Sequence, residues 1–227
     1  MSIKSFFICA VVFLFINSCN NNTTQILLQD ETDTNLQARE TSVSLLIIEP
    51  EPLYNYFPDH VYGALRPTEK MIFDNDLLQL FRQQTQSPVV GKKISEDLIP
   101  EQLESRRFDL DAGPIILISP KQGTDLSTSN INSRFTVILD KYHFTSYQVE
   151  TGGGSYAGHE GDPQNRIRLD TAYIIWDNDQ KREIGWGMVN ASHILYSDDA
   201  TTSYQNVIKS TFQKIIKVSP FIKSDSV

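Results

Sequence analysis

The fold is decided by residues 171–189, which have the sequence TAYIIWDNDQKREIGWGMV. An apolar strand pattern comes first, turn-forming residues fill 177–181, and large side chains then alternate with Gly185 and Gly187. Two strand patterns joined by turn formers predict an antiparallel hairpin. Because glycines on one face of a strand leave room for a neighbour, we expect another group to pack closely against that face.

Another strand precedes this hairpin and a helix follows it. We predict three long strands, near 134–150, 166–177 and 182–192. In the first of them Phe135 and Tyr142 are an odd number of positions apart, so a regular strand would point them to opposite faces. A β-bulge near Asp140-Lys141 is needed to bring both side chains to the core. Residues 204–218 place Ile208, Phe212, Ile215 and Ile216 at helical spacing, which predicts an amphipathic helix that lies across the sheet.

Shorter elements complete the predicted domain. The apolar runs 43–48 and 115–118 are each followed by proline, which indicates two interior strands. Residues 74–86 have the apolar stripe of a helix, and Pro100 favours a weaker helix over 100–107. The sequence therefore predicts an α+β fold in a single domain, 43–221, with a mainly antiparallel sheet of about five strands. Two or three helices, including the C-terminal amphipathic helix, pack on it, and 222–227 form a disordered tail.

The first 18 residues have the pattern of a secretory signal peptide. Lys4 is followed by an apolar run from Phe6 to Ile16, and Ser18 stands just before Cys19. Eleven apolar residues are too few for a membrane span, which needs about 20. Ile16-Asn17-Ser18-Cys19 resembles the lipobox of bacterial lipoproteins, apart from Asn17, where a small or hydroxylated residue is usual. The resemblance implies that Cys19 is acylated and becomes the first mature residue; simple secretion and a retained anchor are the alternatives.

Cysteine use and polarity favour a lipid anchor followed by a tether. The only cysteines are Cys9, inside the segment to be removed, and Cys19, so the mature chain has no internal disulfide. Residues 19–42 are polar, which predicts a flexible tether. Within it, Ile26-Leu27-Leu28 has the alternative of docking on the domain or entering the membrane interface. The predicted location is the exported side of the cell membrane or outer membrane.

The charge of the chain excludes one class of partner. The formal net charge is −8, and it becomes −9 when residues 1–18, which contain Lys4 and no acidic residue, are removed. Positive residues occur at most in pairs such as Lys92-Lys93, whereas nucleic acid binding needs several on one face. We therefore expect no nucleic acid partner, and we expect membrane attachment through the N-terminal lipid.

A glycine-rich loop over 151–165 is the main candidate for a functional site. It has no lysine and leads into a strand, so it is not a phosphate-binding loop. Ser155, Asp170 and His193 have the chain order of a serine hydrolase, but the second glycine of the nucleophile motif and the helix after it are missing. A mobile hairpin tip and a partner-binding loop are the other interpretations. The candidate contact residues are Ser155, Tyr156, His159, Glu160 and Asp162.

The same loop offers the best local set of metal ligands, His159, Glu160 and Asp162. The four histidines of the chain lack the spacing that places two ligands on one face, so we predict no metal and no cofactor. Tyrosines, among them Tyr54, Tyr147 and Tyr156, are frequent enough to suggest an exposed aromatic contact surface, although core packing explains most of them.

The order of elements from residue 173 onward resembles small α+β envelope lipoproteins. The residues that carry this resemblance are Tyr173-Ile174-Ile175-Trp176, Ile184-Gly185-Trp186-Gly187, and Ile208, Phe212 and Ile216. They are similar to those of the amino-terminal domain of TolB, curli-type lipoproteins and transporter-auxiliary lipoproteins. The resemblance implies a non-enzymatic accessory or assembly protein that contacts another envelope protein. The alternative functions are an exported hydrolase and a small-ligand or carbohydrate-binding lipoprotein that uses the 151–165 loop.

Overall fold

The computed structural model describes residues 26–27, 41–50, 77–128, 130–151 and 162–221. Six strands form one mixed sheet in the order β1-β8-β7-β6-β2-β3, and β4 and β5 form a separate two-stranded sheet. The strands are β1 (Ile26–Leu27), β2 (Val43–Ile47), β3 (Val89–Ile94), β4 (Leu103–Phe108), β5 (Ile115–Pro120), β6 (Phe135–Thr151), β7 (Asp162–Asp177) and β8 (Arg182–Ile194).

The hairpin formed by residues 171–189 of β7 and β8 lies within the large sheet. Strands β6, β7 and β8 are consecutive antiparallel neighbours, whereas β2 runs parallel to both β3 and β6. The α+β prediction is thus confirmed in outline, but the sheet is mixed, it has six strands, and the described residues are mostly strand. The Asp177 carboxylate fixes the β7–β8 turn, because its Oδ1 accepts hydrogen bonds from the backbone N–H groups of Asp179 (2.9 Å) and Gln180 (3.0 Å).

Two helices pack on one face of the large sheet, which we call the helix face. Residues 77–82 are helical and form the described part of α1; this helix ends four residues before the predicted end. Helix α2 (Ala200–Val218) begins four residues before its predicted start. The Asp199 side chain caps it by accepting a hydrogen bond from Thr202 N at 3.0 Å. Phe81 and Phe212 join the two helices, with ring centroids 4.9 Å apart.

The predicted helix over 100–107 is wrong. Residues Pro100–Gln102 make a single 3₁₀ turn, and the chain then enters β4, which pairs antiparallel with β5. Arg106 on β4 makes a bidentate ion pair with the buried Glu183 of β8, and this side-chain hydrogen bonding raises the pKa of Arg106. A tertiary ion pair and a strand partner therefore override the local preference for helix that Pro100 indicated.

The β4–β5 hairpin covers the opposite face of the large sheet, which we call the hairpin face. Phe108 and Leu117 from the hairpin pack there with Ile138, Ile174 and Trp176. The predicted run 115–118 is a strand, but it belongs to this small outer sheet and not to the interior, since Ile116 is 61% exposed. The large sheet is therefore buried on both faces.

The predicted β-bulge is confirmed. The β6–β7 register shifts between Asp140 and His143, and Lys141 has a positive φ of 57°. As a result Leu139 and Phe144, which differ in parity, both join the core on the helix face. The Asp140 carboxylate also accepts a hydrogen bond from Ile118 N at 2.9 Å, so the bulge helps to hold the hairpin.

Strand β1 lies within the stretch predicted as a tether. Ile26 is paired with Trp186 and Leu27 with Gly185 in an antiparallel ladder along β8. For Ile26 and Leu27 this is the docked alternative, and Leu28 lies outside the described residues. The signal peptide, the lipobox with Cys19, the other residues of 19–40 and the tail 222–227 lie outside the described residues.

Candidate functional site

Of the predicted binding site over 151–165, the structure describes the ends of strands β6 and β7 but not residues 152–161 between them. Ser155, Tyr156, His159 and Glu160 lie outside the described residues, and Asp162 is described only as the first residue of β7. The geometry of the site therefore rests on the strands on either side. These strands are long: their ladder continues to the pair Thr151 and Asp162.

The far part of β6 and β7 forms a two-stranded ribbon beyond the core. Strand β8 ends with Ile194 opposite Arg166, while β6 and β7 remain paired for four further residue pairs from Gln148–Asn165 onward. Residues 145–148 and 150 are exposed. Gln148 Nε2 donates to Asn165 Oδ1 across the ribbon at 3.0 Å. The ribbon thus extends beyond the core, because the β6–β7 hairpin is longer than the part of the sheet that the core covers.

A shallow cleft lies at the base of this ribbon. It has a volume of about 330 Å³ and lies between the start of β7 and the segment that follows β8. Its lining includes Gln164, Asn165, Leu195, Tyr196 and Asp198. Tyr196 is 41% exposed, and its ring centroid is 6.2 Å from that of His193. Tyr196 could not be predicted as part of a site, because nothing in its local sequence pattern indicates that the chain after β8 returns to β7.

The Asp–His pair of a serine hydrolase is not assembled. His193 lies opposite Ile167 in the β7–β8 ladder, and directly opposite residues share a face of the sheet. Ile167 belongs to the core of the helix face, and Asp170, three residues further on, points to the other face. Asp170 instead accepts a hydrogen bond from Arg168 Nε at 3.0 Å, which raises the pKa of the Arg168 guanidinium. Asp170 and His193 are therefore not placed to act together as the orienting residue and base of the predicted order Ser155, Asp170, His193.

The described tyrosines lie in different environments. Of the tyrosines, Tyr142 is buried and donates to Leu139 O at 2.6 Å, whereas Tyr147, at the base of the ribbon, is 37% exposed. Tyr54 and Tyr156 lie outside the described residues.

In the described part of the chain, no group of three His, Cys, Asp or Glu residues is placed to hold a metal ion. No helix of those residues is long and apolar enough to cross a bilayer.

One cationic surface was also missed. Helix α2 carries Lys209, Lys214 and Lys217 and contains no acidic residue, although the whole chain has a net charge of −8. Lys214 and Lys217 are exposed, and Lys214 Nζ donates to Asn190 O of β8 at 2.6 Å. We call Lys209, Lys214 and Lys217 the lysine face. Counting charges along the chain hides it, because Lys209, Lys214 and Lys217 are five and three positions apart and are brought to the outer side of one helix only when the helix forms.

Comparison with known proteins gives distant structural likenesses only. Neither a protein-family model nor a curated protein matches this chain. A solved minor lipoprotein from Acinetobacter baumannii is 10% identical with a TM-score of 0.38, over 82% of this chain and 98% of that one. A PelC dodecamer structure from Paraburkholderia phytofirmans is 11% identical with a TM-score of 0.33, over 89% of this chain and 98% of that one. TM-scores below 0.5 do not establish a shared fold, so these likenesses leave the function of this chain open.

Proposed function

We propose that this chain is a lipid-anchored, non-enzymatic protein of the cell envelope that contacts another envelope protein through the β6–β7 ribbon. The lipobox-like segment ending at Cys19 supports the anchor. The observation that carries the proposed contact is the ribbon itself, which continues past the end of β8 from Gln148–Asn165 to Thr151–Asp162 and has the exposed residues 145–147 at its base. A paired ribbon that is not needed to cover the core is available for contact with a partner.

The shape of the ribbon suits a protein partner. Tyr147 offers an exposed aromatic ring, and tyrosine is enriched where proteins meet. Past Ile194, the β7 edge of the ribbon has one further backbone hydrogen bond among the described residues, from Leu195 N to Asn165 O at 2.8 Å. Because Pro163, two residues before Asn165 on β7, has no backbone N–H, the proposed contact uses side chains such as that of Tyr147 and not an added strand.

Site-specific photo-crosslinking in whole cells tests this proposal. A photoreactive phenylalanine analogue replaces Tyr147 at the base of the ribbon or, as the matched control, Ile116, which is 61% exposed on the β4–β5 hairpin. We expect a discrete crosslinked partner from the Tyr147 position and none from the Ile116 position. Identical products from both positions would overturn the assignment of the contact to the ribbon.

The lipid anchor is tested in the same cells with Cys19→Ala. We expect loss of membrane recovery and loss of the Tyr147 crosslink, because the thiol that accepts the lipid is gone. If the variant shows membrane recovery and crosslinked partners equal to those of the native protein, the anchor hypothesis is wrong.

A second candidate function is binding of a small ligand or carbohydrate in the cleft of about 330 Å³. The lining supports it, since Tyr196 offers a ring face and Gln164 and Asn165 offer amide groups, which together suit a polar ligand. A glycan array with the soluble domain is the test, and Tyr196→Ala is expected to abolish any signal. A signal that is unchanged in this variant would place the binding elsewhere.

A further inference from the structure

Strand β1 changes the length of chain that separates the predicted lipid from the folded domain. With residues 19–42 free, about 23 residues would have an end-to-end distance of roughly 25 Å. Since Ile26 is paired with Trp186 on β8, only the six residues 20–25, or seven Cα–Cα steps, separate Cys19 from the sheet. Their root-mean-square span is about 15 Å, and even fully extended they reach about 25 Å.

This short segment leaves from one edge of the sheet. Strand β1 is the outermost strand on the β8 side, and β3 is outermost on the other side. Five strand spacings separate the two edges, which is about 24 Å at 4.8 Å per spacing. A lipid on Cys19 could not reach a bilayer lying beyond β3, because crossing the sheet alone would use the full extended length. The chain length therefore favours the orientation in which the β8 edge is near the bilayer.

An independent observation points to the same edge. Helix α2, which carries the lysine face, packs on β7 and β8, the strands next to β1. The bond from Lys214 to Asn190 O places this part of the helix alongside β8. Among the described residues, none forms an ion pair with Lys209 or Lys217. Lysines near an anionic membrane surface each contribute about 1 kcal/mol of attraction.

From these two observations we propose that the β8 edge and the lysine face of α2 form the membrane-facing side of the domain, held against an anionic lipid surface. This inference rests on the lipid anchor of the proposed function. It adds an orientation: the β3 edge points away from the bilayer, and β1 acts as the clamp that fixes the distance.

Energy transfer to labelled lipid tests the orientation. The acylated full-length protein has no other free thiol once Cys19 carries lipid, so single donor labels can be placed by Ser192→Cys on β8 or Val90→Cys on β3, both exposed. The protein is bound to vesicles of phosphatidylglycerol and phosphatidylcholine that carry acceptor-labelled headgroups. We expect at least twofold greater transfer from position 192 than from position 90. Equal or reversed transfer in vesicle-bound protein would overturn the orientation and leave the anchor standing.

Two sets of variants separate the clamp from the lysine face. Replacing Ile26 and Leu27 together by serine removes β1. This variant is expected to abolish the difference in energy transfer between positions 192 and 90 while membrane recovery is kept. Leu36→Ser, a tether leucine outside β1, is the matched control and should leave that difference unchanged.

The lysine face is tested with Lys217→Glu, or with vesicles of phosphatidylcholine alone. Either change should reduce the difference in energy transfer by at least half, whereas Lys92→Glu on β3 should not. A difference that survives loss of β1 overturns the clamp, and one that is insensitive to Lys217→Glu overturns the role of the lysine face. Loss of vesicle binding by the native acylated protein would overturn the anchor and this inference together.

Discussion

Gly187 is the residue at which the structure confirms the close packing expected from the sequence. A Cβ atom built there would lie 2.9 Å from Tyr173 Oη and 3.0 Å from its Cε1. Tyr173 is 1% exposed, and burial raises the pKa of its hydroxyl. The ring is held by the core of the helix face, so it has little freedom to move away.

We expect Gly187→Ala to lower the free energy of unfolding by roughly 1–3 kcal/mol, the usual cost of overpacking a core. Gly91→Ala is the matched control: its Cβ would also lie 2.9 Å from its nearest neighbour, but that neighbour is the Cδ1 of the half-buried Ile131, which can rotate. Urea unfolding of both variants measures the difference. Equal losses would show that the Tyr173 ring is not the cause.

Lys93 on β3 is a buried lysine. It is 3% exposed, and its Nζ donates to Leu126 O. Desolvation by burial lowers its pKa, while Asp125 and Asp97 oppose the shift. Because the folded protein releases this proton at lower pH than the unfolded chain, the unfolded chain binds more protons between the lowered pKa and 10.5. Stability contributed by Lys93 therefore rises with pH across that window.

The pH dependence can be isolated by comparison with Lys93→Met. The free energy of unfolding of the native protein minus that of the variant should increase between pH 8 and pH 10. Lys92→Met, on the same strand, controls for loss of one positive charge. A difference that stays flat or falls with pH would contradict the assigned environment of Lys93.

At the scale of elements, the ion pair of Arg106 and Glu183 attaches the β4–β5 hairpin to β8, together with the contacts of Trp186 with Phe108 and Asp109 O. The side chains of Glu183 and Arg106 are 9% and 28% exposed, and Gln122 Nε2 adds a hydrogen bond to Glu183 at 2.8 Å. Removing the arginine would leave a largely buried carboxylate with only a neutral partner. Such losses are costly because the remaining charge stays desolvated.

Arg106→Leu should cost about 2–3 kcal/mol, less than for a fully buried pair because Arg106 is partly exposed. Hydrogen exchange should increase first in β4 and β5. Arg107→Leu is the control on the adjacent residue: its ion pair with Asp109 has side chains 69% and 78% exposed, and its loss should cost less than about 0.5 kcal/mol. Similar exchange in the two variants would mean that the ion pair does not hold the hairpin.

Elements with a clear hydrophobic period were predictable, and those set by distant partners were not. The strands β6, β7 and β8 and the helix α2 alternate or repeat strongly enough to be placed within a few residues. Strand β3 was not predicted, because Gly91-Lys92-Lys93 interrupts any apolar pattern. It forms a strand because it pairs with β2. The cleft could not be predicted, because it forms between the start of β7 and the segment after β8, which are distant in the sequence. The lysine face appears only once 200–218 are recognised as one helix.

At the scale of the whole molecule, one sheet separates two hydrophobic clusters. The cluster on the helix face includes Phe81, Phe135 and Phe212, and the cluster on the hairpin face includes Leu117 and Trp176. Both tryptophans, Trp176 and Trp186, belong to the hairpin face. Because the same strands form both clusters, neither face can lose its packing without disturbing the other.

We therefore expect a single cooperative unfolding transition. Tryptophan fluorescence reports the hairpin face, whereas far-ultraviolet circular dichroism at 222 nm reports chiefly α2, so about equal midpoints are expected from the two probes. Phe212→Ala should cost about 3–5 kcal/mol and shift both midpoints together. A fluorescence midpoint that stays in place while the dichroism midpoint moves would show that the two faces unfold separately.

The pairing of Ile26–Leu27 with β8 has a final consequence, for solubility. An uncovered strand edge presents main-chain donors and acceptors on which other chains can build sheet, and this is a common start of aggregation. Part of the β8 edge, at Gly185 and Trp186, is closed by the protein's own β1. A recombinant domain that begins at residue 43 would expose these positions, so we expect it to self-associate more readily at high concentration than one that begins at residue 20.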